Sequence, residues 1–286
     1  MTTGGTRGAA AAPVDDRATK AAHREMWALG DYPKIVHTVI HEFGPRLVRA
    51  CGIGPGMRVL DVAAGTGNVA LRAAEAGADV VASDLTPALL AAGRQEAEAR
   101  GLTLEWREAD AEALPFEDGA FDVVTSAVGA MFAPHHEAAA GEMLRVCRPG
   151  GVIGMINWTP EGTIGRFFRT LGAYAPPPPP DAESPLLWGT EEHVRRMLGG
   201  RARAVETSRE VITSGPFEDP EAMCAFYKEN FGPVINVYRG LADDPARTAE
   251  LDRDYLEYAR STNRGRPGEP ARYELEYLLV VARRAG

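Results

Sequence analysis

The 286-residue chain is poor in cysteine, in net positive charge and in long apolar runs, and each shortage excludes something. Its three cysteines, Cys51, Cys147 and Cys224, lie far apart and form no C-x-x-C pair. Neither a disulfide framework nor a zinc site is expected, no metal ligands are assigned, and the thiols read as reduced. Lysine occurs only at positions 20, 34 and 228, a compositional bias toward arginine rather than a functional signal, and it is the formal net charge of -9 at pH 7 that bears on partners. Nucleic-acid binding relies on Lys and Arg clustered against phosphates, so no nucleic acid is expected as a partner. No apolar run reaches the roughly 18 residues that a spanning helix needs, and the first residues lack a basic segment followed by an apolar core. The expectation is a cytoplasmic protein without a membrane span; the sequence sets no oligomeric state.

With 45% hydrophobic residues, the chain can bury one large core with a smaller lid. Its organising stretch is Val59-Leu60-Asp61-Val62-Ala63-Ala64-Gly65-Thr66-Gly67-Asn68-Val69-Ala70-Leu71. A short apolar run ends in an acid, passes through a loop of small residues and enters a segment able to start a helix, which reads as a buried strand turning tightly into a helix. Gly65 and Gly67 allow a ligand to approach the backbone where a Cβ would collide, and the helix N-terminus offers free N–H groups.

Two cofactor classes use such a turn. Gly65-x-Gly67-x-x-Ala70 fits the G-x-G-x-x-A dinucleotide fingerprint, with Asp84 at the distance expected of a ribose partner. Asp61, four residues before Gly65, tilts the reading the other way. Its carboxylate repels a pyrophosphate, whereas a ligand carrying an amino group and a sulfonium tolerates or uses it. S-adenosylmethionine is such a ligand.

Asp61-Val62-Ala63-Ala64-Gly65-Thr66-Gly67 resembles motif I, D/E-x-G-x-G-x-G, of the class I S-adenosylmethionine-dependent methyltransferases, with Ala63 in place of the first glycine. Ser83 to Leu90 is similar to the acid-ended second strand and following helix of that family. Ala109 to Phe116, Gly119 to Val124 and Leu144 to Gly151 are similar to later motifs of its UbiE/COQ5-like branch. Five matches in order are far more specific than one glycine loop. By this resemblance the helices before the first strand fold over the cofactor, which makes Trp27, Tyr32 and Lys34 candidate contacts; packing aromatics are the other reading of Trp27 and Tyr32.

Strands are expected at 58–62, 79–83, 103–108, 121–126, 151–157, 203–212 and 274–283, with helical stretches between most of them. This is an α/β fold: a seven-stranded, mostly parallel, doubly wound (Rossmann-like) sheet with helical lid insertions, its last strand antiparallel. Residues 1–18 read as a disordered tail and 19–286 as one methyltransferase domain, with a helical cap over 19–51. Helical insertions at 159–200 and 217–263 are expected to form a substrate lid. The first contains a helix capped by Thr190 and the stiff run Pro176 to Pro180; the second contains two helices split near Gly240 to Pro245.

Ligands in such sheets sit at the carboxyl ends of the strands. There Asp61 is expected to attract the cofactor's amino group, and the N–H groups from Gly65 through Thr66 and Gly67 to Asn68 its methionine portion. Asp84, with two acceptor oxygens, suits the ribose hydroxyls, and Asp110 with the Ala111 backbone suits the adenine. Ala63, Leu85, Ser126 and Ala127 complete the expected lining. Asp84 as a helix cap and Asp110 as an ordinary loop acid are the plainer readings. His135 and His136 follow the fourth strand and are candidate general bases, although the same pair also reads as the first turn of a helix.

The function so read is methyl transfer from S-adenosylmethionine to a small-molecule acceptor, apolar or aromatic in part, by in-line displacement at the sulfonium methyl. A nicotinamide-dependent oxidoreductase and a non-catalytic S-adenosylmethionine-binding protein remain as alternatives.

Overall fold

The computed structural model describes residues 16–286, so the tail expected over 1–18 lies, up to residue 15, outside the described residues. Its last three residues are not tail. Asp16 opens helix α1 (Asp16–Trp27), where its carboxylate meets the Lys20 ammonium one turn on at 2.8 Å, an i,i+4 pair that also complements the helix dipole.

Strands form at β1 (Arg58–Val62), β2 (Asp79–Asp84), β3 (Glu105–Glu108), β4 (Phe121–Ala127), β5 (Cys147–Trp158), β6 (Ala202–Phe217) and β7 (Ala271–Arg284). They make one seven-stranded sheet in the order β3-β2-β1-β4-β5-β7-β6. The first five are parallel, and β7 runs antiparallel between β5 and β6. β1, β2 and β4 are buried almost throughout, because helices cover both faces of a parallel sheet. β3 at the edge is largely exposed.

The chain builds outward from β1 through β2 to β3 and then returns to the other side of β1 for β4. That reversal opens a crevice at the carboxyl ends of β1 and β4. The register brings those ends level: Val62 lies beside Ser83, and Asp61 beside Thr125.

Above the crevice sit α1 and the short helix α2 (Tyr32–Ile35), which continues as a π turn to Ile40 and is followed by α3 (Phe43–Cys51). Helices α4 (Asn68–Glu75), α5 (Pro87–Ala99) and α6 (His136–Val146) flank the sheet. The second half of the chain adds α7 (Thr163–Gly172), α8 (Glu191–Leu198), which packs on α6, and then α9 (Pro220–Asn230), α10 (Gly232–Gly240) and α11 (Pro245–Thr262). Thr190 caps α8 as its sequence suggests, its hydroxyl accepting from the His193 N–H.

The second insertion holds three helices rather than two. Pro233 lacks the N–H that would continue α9, and Gly232 is required by close approach, since a Cβ there would fall 2.1 Å from the Met26 carbonyl oxygen. The break therefore serves the packing of α1 on α10.

Candidate active site

A cleft opens at the crevice. Of the residues singled out by sequence, Tyr32, Asp61, Ala63, Gly65, Asn68, Asp84, Leu85, Asp110, Ala111 and Ala127 line it, together with Trp27.

Asp61 is 1% exposed at the end of β1. One carboxylate oxygen accepts the Ala70 N–H of the first turn of α4 at 3.0 Å, and the other accepts the Thr125 hydroxyl of β4 at 2.9 Å. Burial pushes its carboxyl up to about 7, with these two hydrogen bonds opposing and the neighbouring Asp84 adding to the rise. Asp84, at the end of β2, accepts the Gly65 N–H and the Thr86 N–H, each at 2.8 Å. Burial raises its carboxyl too, against those backbone hydrogen bonds. Among the described residues no cation pairs with either group.

The loop between them is held in unusual backbone. Gly65 has φ 58°, and a Cβ on it would sit 3.3 Å from the Tyr32 ring. Ala63, where the motif's first glycine would stand, has φ 52°, and Val128 just after β4 has φ 45°. A β-branched residue in the left-handed region is a true outlier, and both strained residues line the cleft. They meet through Gly129, where a Cβ would lie 2.3 Å from the Ala63 carbonyl oxygen.

At the other end of the cleft, Asp110 accepts the Glu112 N–H at 2.9 Å and pairs with the Lys20 ammonium at 2.7 Å. Lys20 also meets Glu112 at 2.7 Å. Burial alone would lower this ammonium, but its bonds to Asp110, Asp16 and Glu112 outweigh that and hold it above its ordinary value. Lys20, His23 and Trp27 together present one face of α1 to the cleft. Burial lowers the His23 imidazole, with Glu112 opposing, so the ring is neutral at pH 7. Sequence reasoning missed Lys20 and His23, although their spacing of three and then four residues up to Trp27 is the signature of one helix face.

Other expected residues stand elsewhere. Lys34 is largely exposed and folds back on Asp31 at 3.5 Å, because it sits in the first turn of α2, which Asp31 caps. Thr66 and Gly67 do not line the cleft; Gly67 faces the Trp106 ring, where a Cβ would lie 2.7 Å away. Ser126 alternates inward along β4, its hydroxyl donating to the Val62 carbonyl and accepting the Ala130 N–H, both at 2.8 Å.

Neither candidate base reaches the cleft lining. His135 Nδ1 lies 3.0 Å from Glu112, which raises its pKa, and its side chain is 43% exposed outside the cleft. His136 is fully buried beside Trp188 and His193. Arg196 can only donate, so its 2.7 Å contact leaves His193 with its proton on Nε2, donated in turn to His136 Nδ1 at 2.9 Å. Burial pulls His136 down to about 4, with the nearby Glu183 opposing. The pair therefore packs α6 against α8 as neutral imidazoles.

The sequence of residues 59–151 matches the family model described as a methyltransferase domain. An uncharacterised protein of Mycobacterium tuberculosis is 46% identical over 94% of this chain and 96% of its own length. A demethylmenaquinone methyltransferase of Thermus thermophilus is 47% identical over 39% of this chain and 53% of its own. The solved YcgJ protein of Bacillus subtilis superposes with a TM-score of 0.60 over 86% of this chain and 99% of its own, at 18% identity, and so shares the fold.

Residues 59–151 make the chain a member of the class I methyltransferases. Within that class its full-length likeness is to the mycobacterial protein, and its likeness to the demethylmenaquinone enzyme is confined to less than half of the chain.

Proposed function

We propose that this chain binds S-adenosylmethionine in the cleft and transfers its methyl group to a small-molecule acceptor. The observation that carries the reading is the pair of buried, cation-free carboxylates, Asp61 and Asp84, already bonded to the N–H groups of Ala70 and Gly65. A pyrophosphate brought to this loop would meet two buried carboxylates and no cation to offset them. These accepting carboxylates favour a ligand with a positive end and a diol: Asp61 toward the amino group, Asp84 toward the ribose hydroxyls, and Ala111 and Leu85 against the adenine. When bound, the cofactor supplies a methyl carbon already activated by positive sulfur, so the protein has to align the acceptor and exclude water. Trp27, Tyr32 and Phe132 line the cleft on the side where the acceptor would stand. His23 lines the cleft, which His135 and His136 do not, and burial keeps its imidazole neutral at pH 7, so it is the histidine able to take a proton released there.

Calorimetric titration with S-adenosylmethionine, S-adenosylhomocysteine and NAD tests this reading. Micromolar binding of the first two without NAD is expected; binding of NAD alone would return the chain to the oxidoreductases.

A further inference from the structure

Trp27, Tyr32, Val128 and Phe132 have two sides. They line the cleft, and they also line a second, smaller pocket behind it. Beyond this shared wall the second cavity is bounded by Ile164, Phe167 and Phe168 of α7, by Tyr227 and Phe231, and by Trp158 at the end of β5. Among the described residues, no Asp, Glu, Lys, Arg or His lines it.

Resting on the methyl-transfer reading, we propose that this second cavity is the acceptor chamber, and that it takes an uncharged, largely apolar molecule whose attacking atom is neutral and becomes cationic as it is methylated.

The position follows from the shared wall, which sets the chamber directly against the strained turn at Val128 and the cofactor cleft. The charge follows from the lining. The lining offers an anionic nucleophile no cation, so its entry costs several kcal/mol that the sulfonium in the neighbouring cleft alone would have to offset. A neutral one creates no new charge. Its electron pair forms the bond to the methyl carbon, the carbon–sulfur pair stays on sulfur as a neutral thioether, and the positive charge passes to the acceptor. An attacking atom that bears hydrogen then loses a proton to water. Aromatic rings favour that charge, at about 0.5–2 kcal/mol for each ring face presented to it. Burial also raises the pKa of any hydroxyl held there, which disfavours an oxyanion route.

The test uses the full chain saturated with S-adenosylhomocysteine at pH 8, and three ring probes of similar size: quinoline, its methylated cation 1-methylquinolinium, and 1-naphthoate. Quenching of tryptophan fluorescence reports occupancy, since Trp27 and Trp158 line the chamber. Quinoline and 1-methylquinolinium should each bind at least tenfold more tightly than naphthoate. Ile164→Phe, which fills the chamber without touching the cleft, should weaken both by tenfold or more and leave S-adenosylhomocysteine affinity unchanged. Should that variant fail to fold, Phe168→Leu should weaken 1-methylquinolinium at least threefold more than quinoline. Naphthoate binding as tightly as the cation, or probe binding indifferent to these substitutions, would overturn the proposal. Failure of S-adenosylhomocysteine to bind at all would strike the methyl-transfer reading instead, and the effect of Ile164→Phe on probe binding would still decide the chamber.

Discussion

The rim of the cleft and the chamber behind it are built by opposite means. At the rim, each acid stands at a strand end and is satisfied by an N–H within a few residues of the glycine loop. In the chamber, the rings come from segments as far apart as Trp27 and Phe231, and hold one another by edge contacts, with Trp27 5.0 Å from Phe132 and 5.9 Å from Phe231. The rim is a matter of chemistry fixed locally, and the chamber a matter of shape fixed globally. Substitutions should therefore separate: ring losses fall on stability and leave cofactor affinity unchanged, and rim losses fall on cofactor affinity.

Phe167→Ala should show the largest effect. Its ring lies 5.5–6.2 Å from those of Phe168, Tyr227, Phe231, Tyr255 and Tyr258, and it is 3% exposed. Truncation should cost about 3–5 kcal/mol in urea unfolding. Affinity of the folded fraction for S-adenosylhomocysteine should move by less than about twofold, or about 0.4 kcal/mol. A large loss of affinity would mean that the two regions are coupled.

Asp84→Ala should do the reverse. It removes charge-assisted hydrogen bonds and frees the Gly65 and Thr86 N–H groups, so calorimetry should find S-adenosylmethionine binding weakened tenfold or more, about 1.4 kcal/mol at least. Unchanged affinity in the folded variant would defeat the ribose assignment.

Acid should act through Asp61. Its carboxyl is raised from 3.8 to about 7 in the folded protein. Between those values the folded state holds a proton that the unfolded state has lost, so this group's contribution to stability declines as pH rises from 3.8 to about 7. A ligand with a positive end favours the ionised form, so its affinity should rise over the upper part of that window, about tenfold between pH 6 and pH 8, with proton uptake by the buffer. Asp61→Asn should flatten the profile. A wild-type profile already flat from pH 6 to pH 8 would remove Asp61 from the cationic end of the ligand.

The same division explains what could be read from the chain. Apolar runs between turn residues locate all seven strands, and Asp61, Gly65 and Asp84 are legible because strand, turn and helix confine them within two dozen residues. Ser126 and Ala127 are neighbours in sequence, yet only Ala127 faces the cleft, since alternation along β4 sends the Ser126 hydroxyl to Val62. His136 looked reactive beside the fourth strand; its partner His193 lies 57 residues further on, beyond any local pattern. The break at Gly232 answers to Met26 across the fold, and the chamber has no motif because any ring of suitable size fills it.

The smallest effect belongs to the seam. Replacing a motif glycine by Ala63 looks slight if only a methyl group is counted, but the cost lies in the backbone: φ 52° is left-handed, and a residue with a Cβ is worse there by about 1–2 kcal/mol. Ala63→Gly would relieve that strain and lose about 0.5–1 kcal/mol to the entropy of the unfolded chain. The net expectation in urea unfolding is a gain of up to about 1 kcal/mol, with cofactor affinity slightly reduced because a freer loop must be ordered on binding. A loss of stability greater than about 1 kcal/mol would instead mean that the Ala63 methyl is held in place by Val128 and Gly129. The strained turn would then be a joint packed from both sides, and rim and chamber would no longer be separable.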